Sequence, residues 1–210
     1  MQTEIAPAAV PALQPTPTPI TPQLVSQMFP STPLVNIAAN LPAVLAALAA
    51  AGLGDSSMVL AALATIRAET ECFLPISEGQ SAFNTSPGGT PFDLYDHRKD
   101  LGNLGPPDGA SFRGRGFVQL TGRANYTHFA QQIGQDLVGN PALANLPAIA
   151  AELLARFLAD KEPAIRAAIA TNDLARARRL VNGGANGLAR FTAAYTTGLQ
   201  LLAPSLTAHS

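Results

Sequence analysis

Apolar residues recur with the period of an α-helix in the segment after residue 55, at Val59, Ala62, Leu63 and Ile66. Asp55 precedes this pattern and is a residue type that caps helix N-termini. Pro75 cannot continue the helix, and it biases Leu74 towards an extended conformation. The pattern therefore predicts a helix that ends at or before Phe73 and carries Glu69 near its end.

Proline and glycine predict most of the remaining helix boundaries. Thr21-Pro22 and Thr32-Pro33 each read as an N-cap followed by proline at the first helical position, so a short helix is expected after each. A separate helix is expected from about Pro42 to Ala51, where Gly52 stops it. Five more helices are predicted over residues 123–133, 147–159, 163–170, 174–181 and 188–202.

Two segments between the helices have a different character. Residues 79–111 are rich in glycine and proline, which is typical of a loop, and a loop of this length is usually functional or disordered. Residues 112–120 alternate as a β-strand does, with Gln119 on one face, and Thr121 continues that face into a turn.

The chain has 210 residues, the length of one ordinary domain. Residues 1–20 contain repeated proline among Ala, Thr and Gln and lack apolar periodicity, so a flexible lead-in is expected there. The domain is expected over residues 21–203 and a C-terminal tail over 204–210.

Charge and cysteine content exclude several classes of protein. Thirteen basic residues balance fourteen acidic ones, which argues against nucleic-acid binding. The single cysteine, Cys72, excludes an intrachain disulfide and every CxxC site. His97, His128 and His209 are scattered, so we expect no metal site and no other cofactor.

The apolar run over residues 41–53 favours a buried helix and no membrane span, because it is interrupted by proline and glycine and is shorter than the ~20 residues that a span needs. The N-terminal segment has Glu4 and no basic region, so no secretory signal is expected.

Glu69 and Glu78 are the first candidates for catalysis. Inverting hydrolysis of a glycosidic bond uses a carboxylic acid and a carboxylate about 6.5–9.5 Å apart. On one continuous helix these two would face opposite sides, about 13 Å apart along the axis, but Pro75 breaks the helix and permits Glu78 to fold back. The spacing alone fits equally a pair of solvated surface carboxylates.

Amide and hydroxyl side chains supply further candidates. Gln119 and Thr121 share a face of the predicted strand, where an amide can hold a sugar substituent and a hydroxyl can orient an attacking water. Asn125 follows one helical turn later. A strand edge with an N-capping threonine explains the same pattern, and Asn182-Gly183-Gly184 fits a helix C-cap as well as a site.

The run RGRGFVQLTGRANY at residues 113–126 closely resembles the signature of glycoside hydrolase family 19, the chitinases and the related phage and bacterial endolysins. Glu69-Thr70, Glu78 and Asn182-Gly183-Gly184 have the order and approximate spacing of the endolysin branch. The segment YDHRKDLGN at residues 95–103 also resembles a loop of the bacterial members. The resemblance covers about residues 20–202.

The resemblance implies a mainly α-helical, lysozyme-like domain with a small β element beside a substrate cleft. By position it implies that Glu69 is the general acid, that Glu78 is the general base and that Thr121 positions the water. It also implies a role in substrate binding for Gln119, Asn125, Asn182 and Arg190.

The chain departs from the family's usual pattern in three respects. Ala68 stands where the family usually has His, and Glu71-Cys72 stands where it usually has Gly-Gly. The chain also contains no tryptophan, which reduces its means of stacking on sugars.

Together these features predict a monomeric inverting hydrolase of β-1,4-linked, N-acetylglucosamine-containing polymers. Peptidoglycan stands ahead of chitin because the Glu69–Glu78 spacing and the compact loops resemble endolysins. We expect the protein to be made in the cytoplasm and to reach a cell wall after release or by non-classical export. Two alternatives stay open: a lytic transglycosylase that uses Glu69 alone, and a non-catalytic wall-binding module.

Overall fold

The computed structural model describes residues 19–184 and 186–203, so the predicted lead-in, apart from Pro19 and Ile20, and the predicted tail lie outside the described residues. The described part contains ten α-helices: α1 (Pro22–Met28), α2 (Leu34–Ala50), α3 (Ser56–Glu69), α4 (Asp93–Asp96), α5 (Asp108–Ser111), α6 (Arg123–Ile133), α7 (Pro147–Ala159), α8 (Glu162–Ala170), α9 (Leu174–Asn182) and α10 (Leu188–Leu202). Short 3-10 helices span Lys99–Leu101 and Pro141–Asn145, and the strands are β1 (Ile76–Ser77) and β2 (Arg115–Gly116). The predicted mainly α fold with a small β element is confirmed.

Helix α3 is the centre of the core. Every residue from Met58 to Ile66 is buried, because α10 packs along α3 and α7 and α8 also contact it. The Asp55 carboxylate accepts a hydrogen bond from the Met58 amide at 3.3 Å, as predicted for an N-cap. The helix ends at Glu69, so a buried scaffold presents this side chain at its C-terminus.

Several predicted boundaries are confirmed. Helices α6, α7 and α10 have the predicted bounds, and Gly134 ends α6 in a left-handed conformation. Thr21 caps α1 through a bond from the Leu24 amide, and Asp173 caps α9.

The prediction of separate helices after Thr32-Pro33 and from Pro42 is wrong, because α2 runs without interruption through Pro42. Its buried residues lie on both sides of that proline, at Ile37, Asn40, Leu41, Val44 and Leu48. Packing of this face against the core outweighs the ~3 kcal/mol that an internal proline costs. Thr32 is not the N-cap; Pro33 takes that position.

The nine-residue strand predicted over 112–120 is also wrong. Only Arg115–Gly116 pairs with β1, in an antiparallel register that joins Ile76 to Gly116 and Ser77 to Arg115. The chain then reverses, since Gly116 and Gln119 have φ angles of +75° and +51°, and Leu120 bonds back to Arg115. Gln119 and Thr121 therefore do not share a strand face.

Residues 79–111 form an ordered segment with three short helical turns. Three buried side chains hold it together: Asp96 accepts from the Gly109 amide, Asn103 donates to the Tyr95 carbonyl, and Asp108 pairs with Arg123. This bracing positions Tyr95 beside the β element.

No helix in the described ranges is long and apolar enough to cross a membrane. Among the same residues, no three His, Cys, Asp or Glu side chains cluster as a metal site would require.

Candidate active site

A cleft of about 440 Å³ lies where the end of α3, the end of α9 and the turn after β2 meet. Six of the seven predicted site residues line it: Glu69, Glu78, Gln119, Thr121, Asn125 and Asn182. Both carboxylates therefore face one shared space. Tyr95, Val118 and Phe157 contribute further wall.

Glu69 is held by two donors from the neighbourhood of α9. Its side chain is 14% exposed, and its Oε1 atom lies 2.8 Å from Arg178 Nη2 in a salt bridge and accepts a hydrogen bond from Asn182 Nδ2 at 3.1 Å. A carboxylate at a helix C-terminus faces the negative end of the helix dipole. The cation of Arg178 offsets this unfavourable position.

Asn182 lies both at the end of a helix and in the wall of the cleft. It is the last residue of α9, and Gly183 follows in a left-handed conformation with φ +73°, so its amide closes the helix on the Arg179 carbonyl. The Asn182 side chain points into the cleft and bonds Glu69.

Glu78 follows β1 and is held by three neutral donors. Its Oε1 atom accepts from the Tyr95 hydroxyl at 2.9 Å and from Asn84 Nδ2 at 3.0 Å, and its Oε2 atom accepts from the Gly114 amide at 3.2 Å. Asn84 is fully buried. Burial and the bond to Glu78 raise the pKa of Tyr95 to about 12, so this hydroxyl remains a donor.

Gly114 lies where the turn approaches the Glu78 side chain. A Cβ atom there would lie 2.8 Å from Gln119 Oε1 and 3.2 Å from Glu78 Oε2. The close approach brings the Gln119 amide beside the carboxylate. Gln119 Nε2 donates to the Ile76 and Gly116 carbonyls, both at 2.9 Å, so the amide oxygen is the atom left to accept from a ligand.

Thr121 and Asn125 form one side of the cleft. The Thr121 hydroxyl donates to the Gln119 carbonyl at 2.9 Å, which directs its lone pairs away from that carbonyl. Asn125 Nδ2 donates to the Thr121 carbonyl at 2.8 Å and holds the two residues together.

The structure does not bring Arg190 into the cleft. Its Nη2 atom lies 3.3 Å from Glu71 Oε2, in a separate groove that Arg67 also lines. Its position on α10 carries it away from Glu69, so the expected role in substrate binding does not fit its surroundings.

Sequence reasoning missed Arg178, the residue that does contact Glu69. The sequence does contain a signal for Arg178, which is its helical spacing from apolar residues. Leu174, Arg178 and Val181 lie on the buried face of α9. A charged residue in an apolar stripe is almost never fully buried without a partner.

The turn after α3 was missed as well. Glu71 and Phe73 have φ angles of +51° and +56°, and three consecutive carbonyls turn towards α2. The Thr32 hydroxyl donates to the Glu71 carbonyl, while Asn36 and Asn40 donate to those of residues 72 and 73 at 3.0 and 3.2 Å. This ladder holds Glu71 in the conformation that glycine adopts more readily.

Comparison with known proteins finds relatives in sequence and in fold. No family model matches the chain. A glycosyl hydrolase family 19 domain-containing protein of Haemophilus influenzae is 30% identical over 95 residues, which cover 45% of this chain and 44% of that protein. The crystal structure of chitinase C from Streptomyces griseus superposes with a TM-score of 0.61 at 25% identity, over 87% of this chain and 76% of that one. The chain is therefore similar to glycoside hydrolase family 19 proteins, in sequence over part of its length and in fold over most of it.

Two further comparisons give the same family of enzymes or the same fold. An acidic 27 kDa endochitinase of Solanum lycopersicum is 60% identical over 35 residues, which are 17% of this chain and 14% of that protein. A mutant form of chitinase C gives a TM-score of 0.61 at 24% identity and supports the fold alone. The predicted lysozyme-like helical fold is confirmed, although the chain spans less than half the length of the curated relatives it matches.

Proposed function

We propose that this chain is a member of glycoside hydrolase family 19 and an inverting hydrolase that cleaves β-1,4 linkages in polymers containing N-acetylglucosamine. The observation that carries the proposal is a pair of carboxylates, Glu69 and Glu78, which line one cleft and are held by separate elements. Inverting chemistry uses such a pair with room for water between the members.

In the proposed reaction, Glu69 gives its proton to the glycosidic oxygen as the bond to the anomeric carbon breaks. Glu78, as a carboxylate, takes a proton from the water that attacks this carbon from the opposite face. The Thr121 hydroxyl already donates to Gln119, so its oxygen accepts the second hydrogen of the same water. Two acceptors then direct the water lone pair at the anomeric carbon.

The sugar contacts follow from the atoms that the cleft offers. The Gln119 amide oxygen is placed to accept from an acetamido N–H or a sugar hydroxyl, because both its amide hydrogens are used within the protein. Asn125 and Asn182 add amide groups to the same wall. We assign substrate binding to these three residues and not to Arg190.

We propose peptidoglycan ahead of chitin as the substrate. The nine-residue spacing of the two glutamates and the compact loops resemble the endolysin branch, whereas the named relatives include an endochitinase and a chitinase. The bond to be cut and the chemistry are the same, so one experiment decides between the polymers.

The test incubates the full chain with purified sacculi and, separately, with chitin oligosaccharides. Mass spectrometry identifies the products, and early NMR spectra give the configuration of the new reducing end. We expect hydrolytic products in the inverted configuration. A 1,6-anhydro product would indicate a transglycosylase, and binding to sacculi without release of sugar would indicate a wall-binding module.

Glu78→Gln separates the hydrolase from the transglycosylase, because the latter needs no second carboxylate. We expect it to lose most activity, whereas Glu152→Gln, a glutamate on α7 outside the cleft, keeps it. The neutral donors gathered on Glu78 support a role for this residue in the reaction.

A further inference from the structure

The proposed acid has a neighbour that the reaction scheme above does not use. Arg178 is 1% exposed, and its Nη2 atom lies 2.8 Å from Glu69 Oε1. We propose that Arg178 is a positioning residue that holds Glu69 in the orientation from which its proton reaches the leaving-group oxygen. This inference rests on the proposed function.

The guanidinium is itself fixed from two sides. Its Nε atom donates to the Asn186 carbonyl at 2.8 Å, and a planar group bound at Nε and Nη2 cannot turn about its axis. The small residues Ala68 and Gly187 make room for the guanidinium. A Cβ atom at Gly187 would lie 3.0 Å from the Ala68 Cβ and 3.4 Å from Arg178 Nη2. The arginine therefore transmits the position of the 186–187 turn to the carboxylate.

The donors on Glu69 also select which oxygen carries the proton. Arg178 Nη2 and Asn182 Nδ2 both approach Oε1. A proton on that oxygen would compete with two donors, whereas Oε2 has no such neighbour among the contacts of the described residues. We therefore place the transferred proton on Oε2, on the side of the carboxyl group away from Arg178.

Glu69 is the only carboxylate within salt-bridge distance of Arg178 in the described ranges, and Arg178 Nη1 is buried there without a hydrogen-bond partner. As the proton leaves Glu69, negative charge develops on the carboxyl group beside this fixed cation. A preorganised charge of this kind stabilises the transition state without reorganisation. Arg178 thus acts on the reaction only through proton donation by Glu69.

Because Arg178 is proposed to act only through proton donation, its effect should depend on whether the leaving group needs a proton. A purely structural role would not show this dependence. A dinitrophenyl β-glycoside of an N-acetylglucosamine oligosaccharide leaves without needing a proton, whereas the unsubstituted oligosaccharide needs one. Arg178→Met, Arg178→Lys and wild-type protein are compared on both substrates. Arg179→Met is the matched control, since Arg179 is the next residue of α9 and is exposed.

We expect Arg178→Met to lower kcat on the unsubstituted oligosaccharide roughly 100-fold, the lower end of what general acid catalysis contributes, with KM nearly unchanged. On the dinitrophenyl glycoside the loss should be below about fivefold, because the leaving group needs no acid. Arg178→Lys keeps the charge without the two-point geometry and should lie between Arg178→Met and wild type. Arg179→Met should match wild type on both substrates.

Equal losses on both substrates would overturn the proposal, because they would mean that Arg178 supports the fold rather than the acid. If circular dichroism shows that Arg178→Met does not fold, the ratio of the two losses in Arg178→Lys decides in the same way. A wild-type protein inactive on both substrates would instead remove the proposed function itself.

Discussion

Glu69 stands at the end of a buried helix beside a guanidinium, whereas Glu78 stands after a two-residue strand among a phenol, an amide and a backbone N–H. The first carboxylate has a cation beside it as its proton leaves. The second is oriented by neutral donors, which interfere less with its ability to take a proton than a cation would. The proposed roles give each environment a use: the cation stabilises Glu69 once its proton has left, and neutral donors orient Glu78 as a base.

The largest expected effect tests these roles directly. Glu69→Gln should lower kcat on an unsubstituted oligosaccharide by about 10²–10⁴-fold and lower it far less on a dinitrophenyl glycoside, whose leaving group needs no proton. Glu78→Gln should lose similar amounts on both substrates, because activation of water is needed for either. Steady-state kinetics on the two substrates measures this.

The reverse pattern would exchange the roles. If Glu78→Gln is the variant that keeps most of its activity on the dinitrophenyl glycoside, then Glu78 is the proton donor. The neutral hydrogen-bond donors around Glu78 would then orient its protonated form. Glu152→Gln, on α7 and outside the cleft, should leave both rates unchanged.

Asn84 tests how the neutral hydrogen-bond donors orient Glu78. It is fully buried and makes four bonds, donating to Glu78 and Gly79 and accepting from Ser81 and Thr85. Asn84→Ala should lower kcat by about 10–100-fold, as expected for loss of a hydrogen bond to a charged group worth ~1.5–3 kcal/mol. Kinetics and denaturant unfolding together measure the effect.

Asn145→Ala is the matched control, because Asn145 bonds Gly116 and Ser77 in the same β element without touching Glu78. It should lose stability with little change in kcat. Equal loss of kcat in both variants would show that Asn84 braces the segment and does not orient the carboxylate.

The long helices and their caps could be predicted from the sequence, because local signals decide them. Asp55, Thr21 and Gly134 act through bonds to residues within four positions. The course of α2 through Pro42 could not be predicted, because the packing that overrides the local cost comes from distant helices.

In the site, too, features that follow from local sequence patterns could be predicted, and long-range contacts could not. Six residues of the cleft could be found from motif and residue type, but the period-two pattern gave the wrong geometry for Gln119 and Thr121, which reach the cleft through a turn. Arg178 contacts Glu69 across 109 positions of sequence, and no local pattern reports a contact of that range. Arg190, the arginine that the resemblance indicated, pairs with Glu71 instead.

Tyr95 offers a smaller effect with a distinctive pH dependence. Tyr95→Phe removes one of three donors to Glu78 and should lower kcat by about tenfold or less, since the other two remain. The pKa of Tyr95 is raised to about 12 by burial and then by its bond to Glu78. Between the ordinary value of 10.0 and about 12 the unfolded phenol has lost its proton while the folded one keeps it, so stability falls as pH rises.

The free energy of unfolding, measured across that range, should therefore fall more steeply in wild type than in Tyr95→Phe. Burial also raises the pKa values of Tyr126 and Tyr195, but both residues are present in each protein, so the difference between the curves reports Tyr95. Parallel curves would show that Tyr95 does not carry the raised pKa.

The smallest effect concerns Glu71, the extra charge two residues after the acid. Its carboxylate lies 2.8 Å from Arg67 and 3.3 Å from Arg190, and the bond from Arg67, followed by the charge of Arg190, holds the pKa of Glu71 below its usual range. Glu71 does not line the cleft, and the two arginines that balance its charge line a separate groove. Glu71→Gln should therefore change kcat by less than about twofold and stability by less than about 1 kcal/mol, as for an exposed pair. A tenfold change in kcat, with the fold intact by circular dichroism, would show that the charge of Glu71 acts on the cleft. The carboxylates to compare with Glu78 would then be Glu69 and Glu71 together, rather than Glu69 alone.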